Sequence, residues 1–224
     1  MRLVLWEVDA QTDFMLPGGK LYVPGADKII PNLNRLVEQA RQDRVLLVSS
    51  ADAHQPDDPE FREWPTHCVK GTAGAELIVE ARAARRLVIP NQENFVFPDD
   101  LRSYQQIHLE KNTLDVFDNP HTGTLLSRLA GSQKSSGSNA DFLVFGVVTE
   151  HCVHRAAHGL LRRDYGVSIV EDAIQSLDEK KGREILGELQ SKGARVITTE
   201  QALTLIGREA GDGSHSQNAN TAGN

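Results

Sequence analysis

Six short apolar runs, rich in β-branched residues and poor in polar alternation, recur along the chain at residues 3–8, 45–49, 107–109, 142–148, 167–170 and 195–198. A strand that shows no polar side has no face to give to water. Such strands are buried on both faces, as in a parallel sheet covered by helices. Between the runs, apolar residues recur at three- and four-residue spacing. Residues 27–42 place Ile29, Ile30, Leu33, Leu36 and Val37 on one side, and 149–164 do the same with Val153, Ala156, Ala157, Leu160 and Leu161. Residues 177–191 carry Ile185, Leu186 and Leu189 in the same way. Pro31 reads as a first-turn residue, where its missing N–H costs little, and Gly166 and Gly193 read as helix stops. Strand–helix alternation of this kind predicts an α/β three-layer sandwich with a mainly parallel sheet. Ligands then belong at the carboxyl ends of the strands.

The length of 224 residues suits one domain, expected over residues 1–208. The low-complexity stretch 211–224 reads as a disordered tail beginning near 209, and 131–140 as a flexible loop. A formal charge of −7 with scattered basic residues argues against a nucleic-acid partner. No apolar run is long enough to span a bilayer or to act as a leader, so neither a membrane partner nor export is expected. Two cysteines make no disulfide framework. A reducing cytoplasm, in which a thiol stays free, is the expected location.

Asp9 closes the first run, Asp52 and His54 follow the second, Lys111 follows the third and Cys152 follows the fourth. In a parallel sheet those ends converge. Each residue also has a plainer reading. Cys152 lies near the start of the expected helix 149–164, where the helix dipole and free N–H groups favour a thiolate and an oxyanion, but a lone cysteine is more often packing. Asp9 reads as a turn residue or as a base, with Asp13 equally able to be the turn residue. Lys111 reads as a surface charge or, if buried, as a cation that biases a thiol. Asp52, His54 and His67 suit a divalent metal, with Glu60 between them as a further candidate. His154 and His158 read as a partly exposed helix face, and Cys68 as packing.

The segments VDAQTDF (8–14), SADAHQPDDPEF (50–61), WPTHCVKGTAGAEL (64–77), EK (110–111) and GVVTEHCV (146–153) together resemble the isochorismatase-like cysteine hydrolases, and within them the nicotinamidase branch. The resemblance spans roughly residues 3–206. It implies a six-stranded parallel sheet and a triad of Asp9, Lys111 and Cys152. It implies Asp52, His54 and His67 as ligands of one divalent ion, zinc first, with iron and manganese as alternatives. It implies a cis peptide at Val148–Thr149, oxyanion donors at the N–H groups of Val148 and Cys152, and a flat ring held by Phe14 and Trp64. The activity implied is hydrolysis of a small carboxamide, nicotinamide first, through a cysteine thioester. Another small amide, or a ureido or carbamoyl substrate, is the alternative, followed by a non-catalytic member that keeps the fold, and a homo-oligomer is the expected assembly. Three features depart from the usual nicotinamidase pattern: the segment 112–119 after Lys111, Glu60 in place of a more usual histidine, and His151 before the cysteine.

Overall fold

The computed structural model describes residues 3–130 and 140–218, with side chains through 209. The expected loop at 131–140 falls almost wholly outside the described residues. Seven strands form one sheet: β1 (Leu3–Val8), β2 (Leu46–Asp52), β3 (Arg86–Ile89), β4 (Gln106–Lys111), β5 (Asp141–Val147), β6 (Gly166–Gln175) and β7 (Arg195–Ile197). Their order is β3-β4-β2-β1-β5-β6-β7 and every pairing is parallel. The expected count of six is corrected by β3. Its four residues Arg-Leu-Val-Ile are only partly buried at the sheet edge, and paired arginines precede its apolar core. A short run half open to water carries little of the signal that marks a central strand.

Helices cover both faces. Helix α2 (Ala26–Arg41) packs with α6 (Thr199–Asn218) and against β6, while α4 (His154–Leu161) packs with α5 (Glu179–Ser191) and against β6 from the other side. Two further helices are α1 (Thr12–Met15) and α3 (Thr122–Ala130). Helix α2 begins on Gly25, in the left-handed region at φ 89°, so Pro31 falls in its second turn and not its first. Helix α5 starts where Asp178 accepts from the N–H groups of Lys180 and Lys181, two residues later than the sequence pattern suggested. Gly193 ends it at φ 102°, as expected, but Gly166 opens β6 and is not a helix stop. Helix α6 buries Ala202 and Ile206 and runs on to Asn218, through most of the stretch read as a loose tail.

Strand β1 is buried along its whole length. Trp6 stacks on Phe117 at 6.4 Å and meets the edge of Phe142 at 5.6 Å, anchoring one face of the core. Gly146 brings β5 against β1: its φ is 117°, and a Cβ there would lie 2.0 Å from the Val8 carbonyl oxygen. The β5–β6 register slips between Val144 and Gly146, which re-aims the end of β5 just before Cys152.

Glu7 is the exception to an apolar β1. It is fully buried between Ser49 of β2 and Phe145 of β5, and neither carboxyl oxygen has a hydrogen-bond partner. Burial, reinforced by the nearby Asp9, pushes its pKa well above the usual carboxylate range despite Arg86 and Arg41. The folded chain therefore holds Glu7 neutral where the unfolded chain ionises it, so stability falls as pH rises from the unfolded pKa toward the folded one. Glu7→Leu is expected to stabilise the fold by about 1–3 kcal/mol at pH 8 and by less at pH 5, read by thermal melts at both pH values.

Candidate active site and metal centre

The carboxyl ends of β4, β2, β1 and β5 meet at one edge of the sheet. The residue after β1 is Asp9, held at φ 51° with its N–H donating to the Ser50 carbonyl at 2.9 Å. Asp52 ends β2 and Lys111 ends β4, in direct register with each other. Cys152 lies beyond β5 on a single π-helical turn, Thr149–Val153, that leads into α4. The sequence reading of one continuous α-helix from 149 is corrected here. Val153 N–H donates to the Val148 carbonyl at 3.1 Å, an i→i+5 bond that widens the turn carrying the thiol. The cis peptide is Val147–Val148, one bond earlier than expected, because β5 ends at Val147 and the π turn already begins at Thr149.

Lys111 is buried and central. Its Nζ lies 2.9 Å from Asp9 Oδ2 and 3.6 Å from Cys152 Sγ, and it forms a short ion pair with Asp52 Oδ1. Burial alone would strip its proton; Asp52 and Asp9 outweigh that and raise its pKa well above the usual lysine value. For Asp52, burial opposes ionisation, but the lysine outweighs it and holds the carboxyl below the usual range. Asp9 ends differently. Burial lifts it, Lys111 opposes, Asp52 adds repulsion, and its pKa rises to about 6. Burial and then the Asp9 charge push the Cys152 thiol well up, against the pull of Lys111. The resting pair is thus a protonated thiol beside a carboxyl poised near neutrality.

Asp52 serves two neighbours. Its other oxygen, Oδ2, lies 3.7 Å from His54 Nε2 and 3.6 Å from His67 Nε2. One ligand atom from each of these three residues falls within 4.8 Å of the others, and all three residues are buried. His67 Nδ1 donates to the Pro65 carbonyl at 2.7 Å, which leaves Nε2 as a lone pair. His54 Nδ1 lies 3.1 Å from Asp58, and His54 Nε2 is buried without a hydrogen-bond partner. Two imidazole nitrogens and a carboxylate oxygen converging on one point fit a divalent ion. Glu60 lines the adjoining pocket near the cluster without belonging to that compact trio; burial and the Asp52 charge raise its pKa.

The pocket reaches from Asp9 and Cys152 to Asp52 and His67, with Phe14 and Trp64 in its wall. Phe14 packs on His67 at 5.3 Å and Trp64 meets the edge of His151 at 5.5 Å. Leu114 brings the atypical segment 112–119 into the wall. Sequence reasoning missed Leu21, Val23 and Leu177, which close the wall from loops that carry no motif. It also missed Gln11, whose side chain clamps Asp52 by donating to its carbonyl and accepting from its N–H, both at 2.8 Å. Asp13 is the turn residue: its carboxylate accepts from Cys68 N–H at 2.8 Å and from Lys20 N–H at 3.0 Å, tying the loop after β1 to the His67 loop. Cys68 is buried packing, its thiol raised by burial. Residues 3–95 and 79–201 match the Isochorismatase domain family. The chain is a member of the isochorismatase family. Within that family it is 29% identical over 191 residues to a nicotinamidase of Acinetobacter baylyi, covering 76% of this chain and 80% of that one. It superposes on the pyrazinamidase of Pyrococcus horikoshii in complex with zinc at a TM-score of 0.68 and 27% identity, over 88% of this chain and 99% of that one. It matches N-carbamoylsarcosine amidase from Thermoplasma acidophilum at 0.68 and 26%, over 89% and 97%.

The Asp52–His54–His67 trio, braced by Asp58 and Pro65, is expected to bind one divalent ion per chain. His67→Ala is expected to abolish stoichiometric metal, and Asp58→Ala to weaken binding by about 10–100-fold. Metal analysis after dialysis against graded chelator checks both.

Proposed function

We propose that this chain hydrolyses a small, uncharged aromatic carboxamide, nicotinamide first, to the acid and ammonia through a thioester on Cys152. The chain is an amidohydrolase of the isochorismatase family. The observation that carries the reading is the convergence of Cys152, Asp9 and Lys111 beside the Asp52–His54–His67 trio, in a pocket walled by Phe14 and Trp64.

In the proposed course, the amide carbonyl carbon lies against Cys152 Sγ. As the sulfur attacks, its proton passes to Asp9. The negative charge that grows on the carbonyl oxygen meets the N–H groups of Val148 and Cys152. Lys111 offsets the charge on sulfur and keeps Asp9 from becoming too strong a base. Asp9 then gives its proton to the departing ammonia. Water, deprotonated by Asp9, cleaves the thioester and restores the thiol. Asp52, His54 and His67 would hold the divalent ion, zinc first, with iron or manganese suiting the same donors. Bound there, the ion supplies Lewis-acid ligation for a ring nitrogen or a water.

The wall argues for a neutral substrate. Leu21, Val23, Leu114 and Leu177 supply apolar surface, and no arginine or lysine lines the pocket. The one cation at its base, Lys111, is committed to two carboxylates. A ureido substrate bearing its own carboxylate would find no arginine or lysine among the described residues of the wall to pair with, which ranks the carbamoyl alternative second.

Ammonia release from nicotinamide by metal-loaded protein tests the reading. Cys152→Ala should lower kcat by at least about 10⁴-fold, the scale seen when a nucleophile is lost. Because Asp9 must be ionised to accept the proton, kcat/KM should rise with pH through about 6 and fall away below it. No release from folded, metal-loaded protein would send the search to other small amides.

A further inference from the structure

A second cavity, of about 280 Å³, lies along β2, β3 and β4 and shares only Asp52 with the lining of the amidase pocket. Its apolar floor comes from Leu77 and Val88, and its polar side chains are Asp52, Lys70, Glu76, Arg86, His108 and Glu110. We propose that this cavity binds a small carboxylate with an apolar body, held by the Arg86 guanidinium and the His108 Nε2–H.

A chain of hydrogen bonds fixes the His108 donor. Gln106 Oε1 accepts from Ala83 N–H at 2.9 Å, so its amide nitrogen must be the end that points at Ser49. That nitrogen donates to the Ala81 carbonyl and to Ser49 Oγ, both at 3.0 Å. Ser49 Oγ lies 3.0 Å from His108 Nδ1, its only other hydrogen-bond partner among the described residues. With Oγ already accepting, the hydroxyl proton goes to Nδ1. His108 is then the tautomer that carries its proton on Nε2. Burial first, and then Arg86 and Lys70, hold its pKa down to about 3, so the ring stays neutral and Nε2 stays a donor. That nitrogen makes no hydrogen bond among the described residues and belongs to a side chain that lines the cavity.

Each lining acid already has a cation of its own: Asp52 pairs with Lys111, Glu76 lies 3.9 Å from Arg82, and Glu110 takes Lys70. Lys70 Nζ pairs with Glu110 at 2.6 Å. The Arg86 side chain makes no hydrogen bond and no ion pair with any described residue, and the acid whose charge it would favour, Glu7, is held neutral by burial. A planar fork with a free positive charge, set beside a fixed neutral donor and over aliphatic side chains, matches a carboxylate on a small apolar group. The inference stands apart from the amide reaction and does not depend on it.

Benzoate is the probe, titrated calorimetrically at neutral pH into metal-loaded protein. Saturable binding is expected. It should persist in Trp64→Ala, which alters only the amidase pocket, and weaken at least about tenfold in Arg86→Met, whose side chain lies on a partly open edge strand. His108→Phe, which keeps the ring volume and removes the donor, should weaken it as well. Absence of saturable binding would overturn the proposal. So would binding that is lost in Trp64→Ala and unchanged in Arg86→Met, since benzoate would then occupy the amidase pocket alone.

Discussion

A buried ammonium shared by two carboxylates holds this molecule's chemistry together. Lys111 is taken from water, an arrangement that is tolerable only because Asp9 and Asp52 both reach it. The two acids do not share it equally. Asp52 takes the tighter contact and stays ionised, and Asp9, left with the weaker hold, is lifted to a pKa near 6. One asymmetric ion triplet thereby makes a fixed anion beside His54 and His67 and an adjustable acid beside the thiol. Removing the lysine would leave two buried carboxylates facing each other without a counter-charge.

The backbone supports that balance from outside it. Asp52 is placed by the β2–β4 register and by the two hydrogen bonds from Gln11. Asp9 is placed by a left-handed residue at the end of β1, and Cys152 by a π turn after a bulged β5. Each of these devices fixes the position of a charged or nucleophilic atom relative to Lys111, and small errors there would alter both protonation states.

The strand runs and the residues at their ends were legible because the central strands are buried on both faces, so their apolar content is undiluted. Asp9, Asp52, Lys111 and Cys152 could be grouped by position alone, and the His54 and His67 loops by their metal-ligand residue types. What escaped was set by tertiary contact. Strand β3 is half open to water and paired on one side only, so Leu87 and Val88 gave a weak signal. Helix α3 offers four buried residues in nine, too short a period to stand out. Leu21, Val23 and Leu177 look like any loop leucine or valine until the fold turns them toward Cys152. Glu7 sits in an otherwise apolar strand, and nothing in the chain's pattern announces that its carboxyl is left without a partner.

The pocket wall is assembled from pieces that never touch one another in sequence. Leu21 and Val23 follow β1, Trp64 follows β2, Leu114 follows β4 and Leu177 follows β6. The ion triplet, by contrast, hangs from strand ends locked by the sheet ladder. Substitution in one loop can therefore reshape a single side of the wall while the charges beneath it stay as they are. In such a scaffold, the shape of the wall is free to drift in independent steps while the charged base beneath it keeps its place.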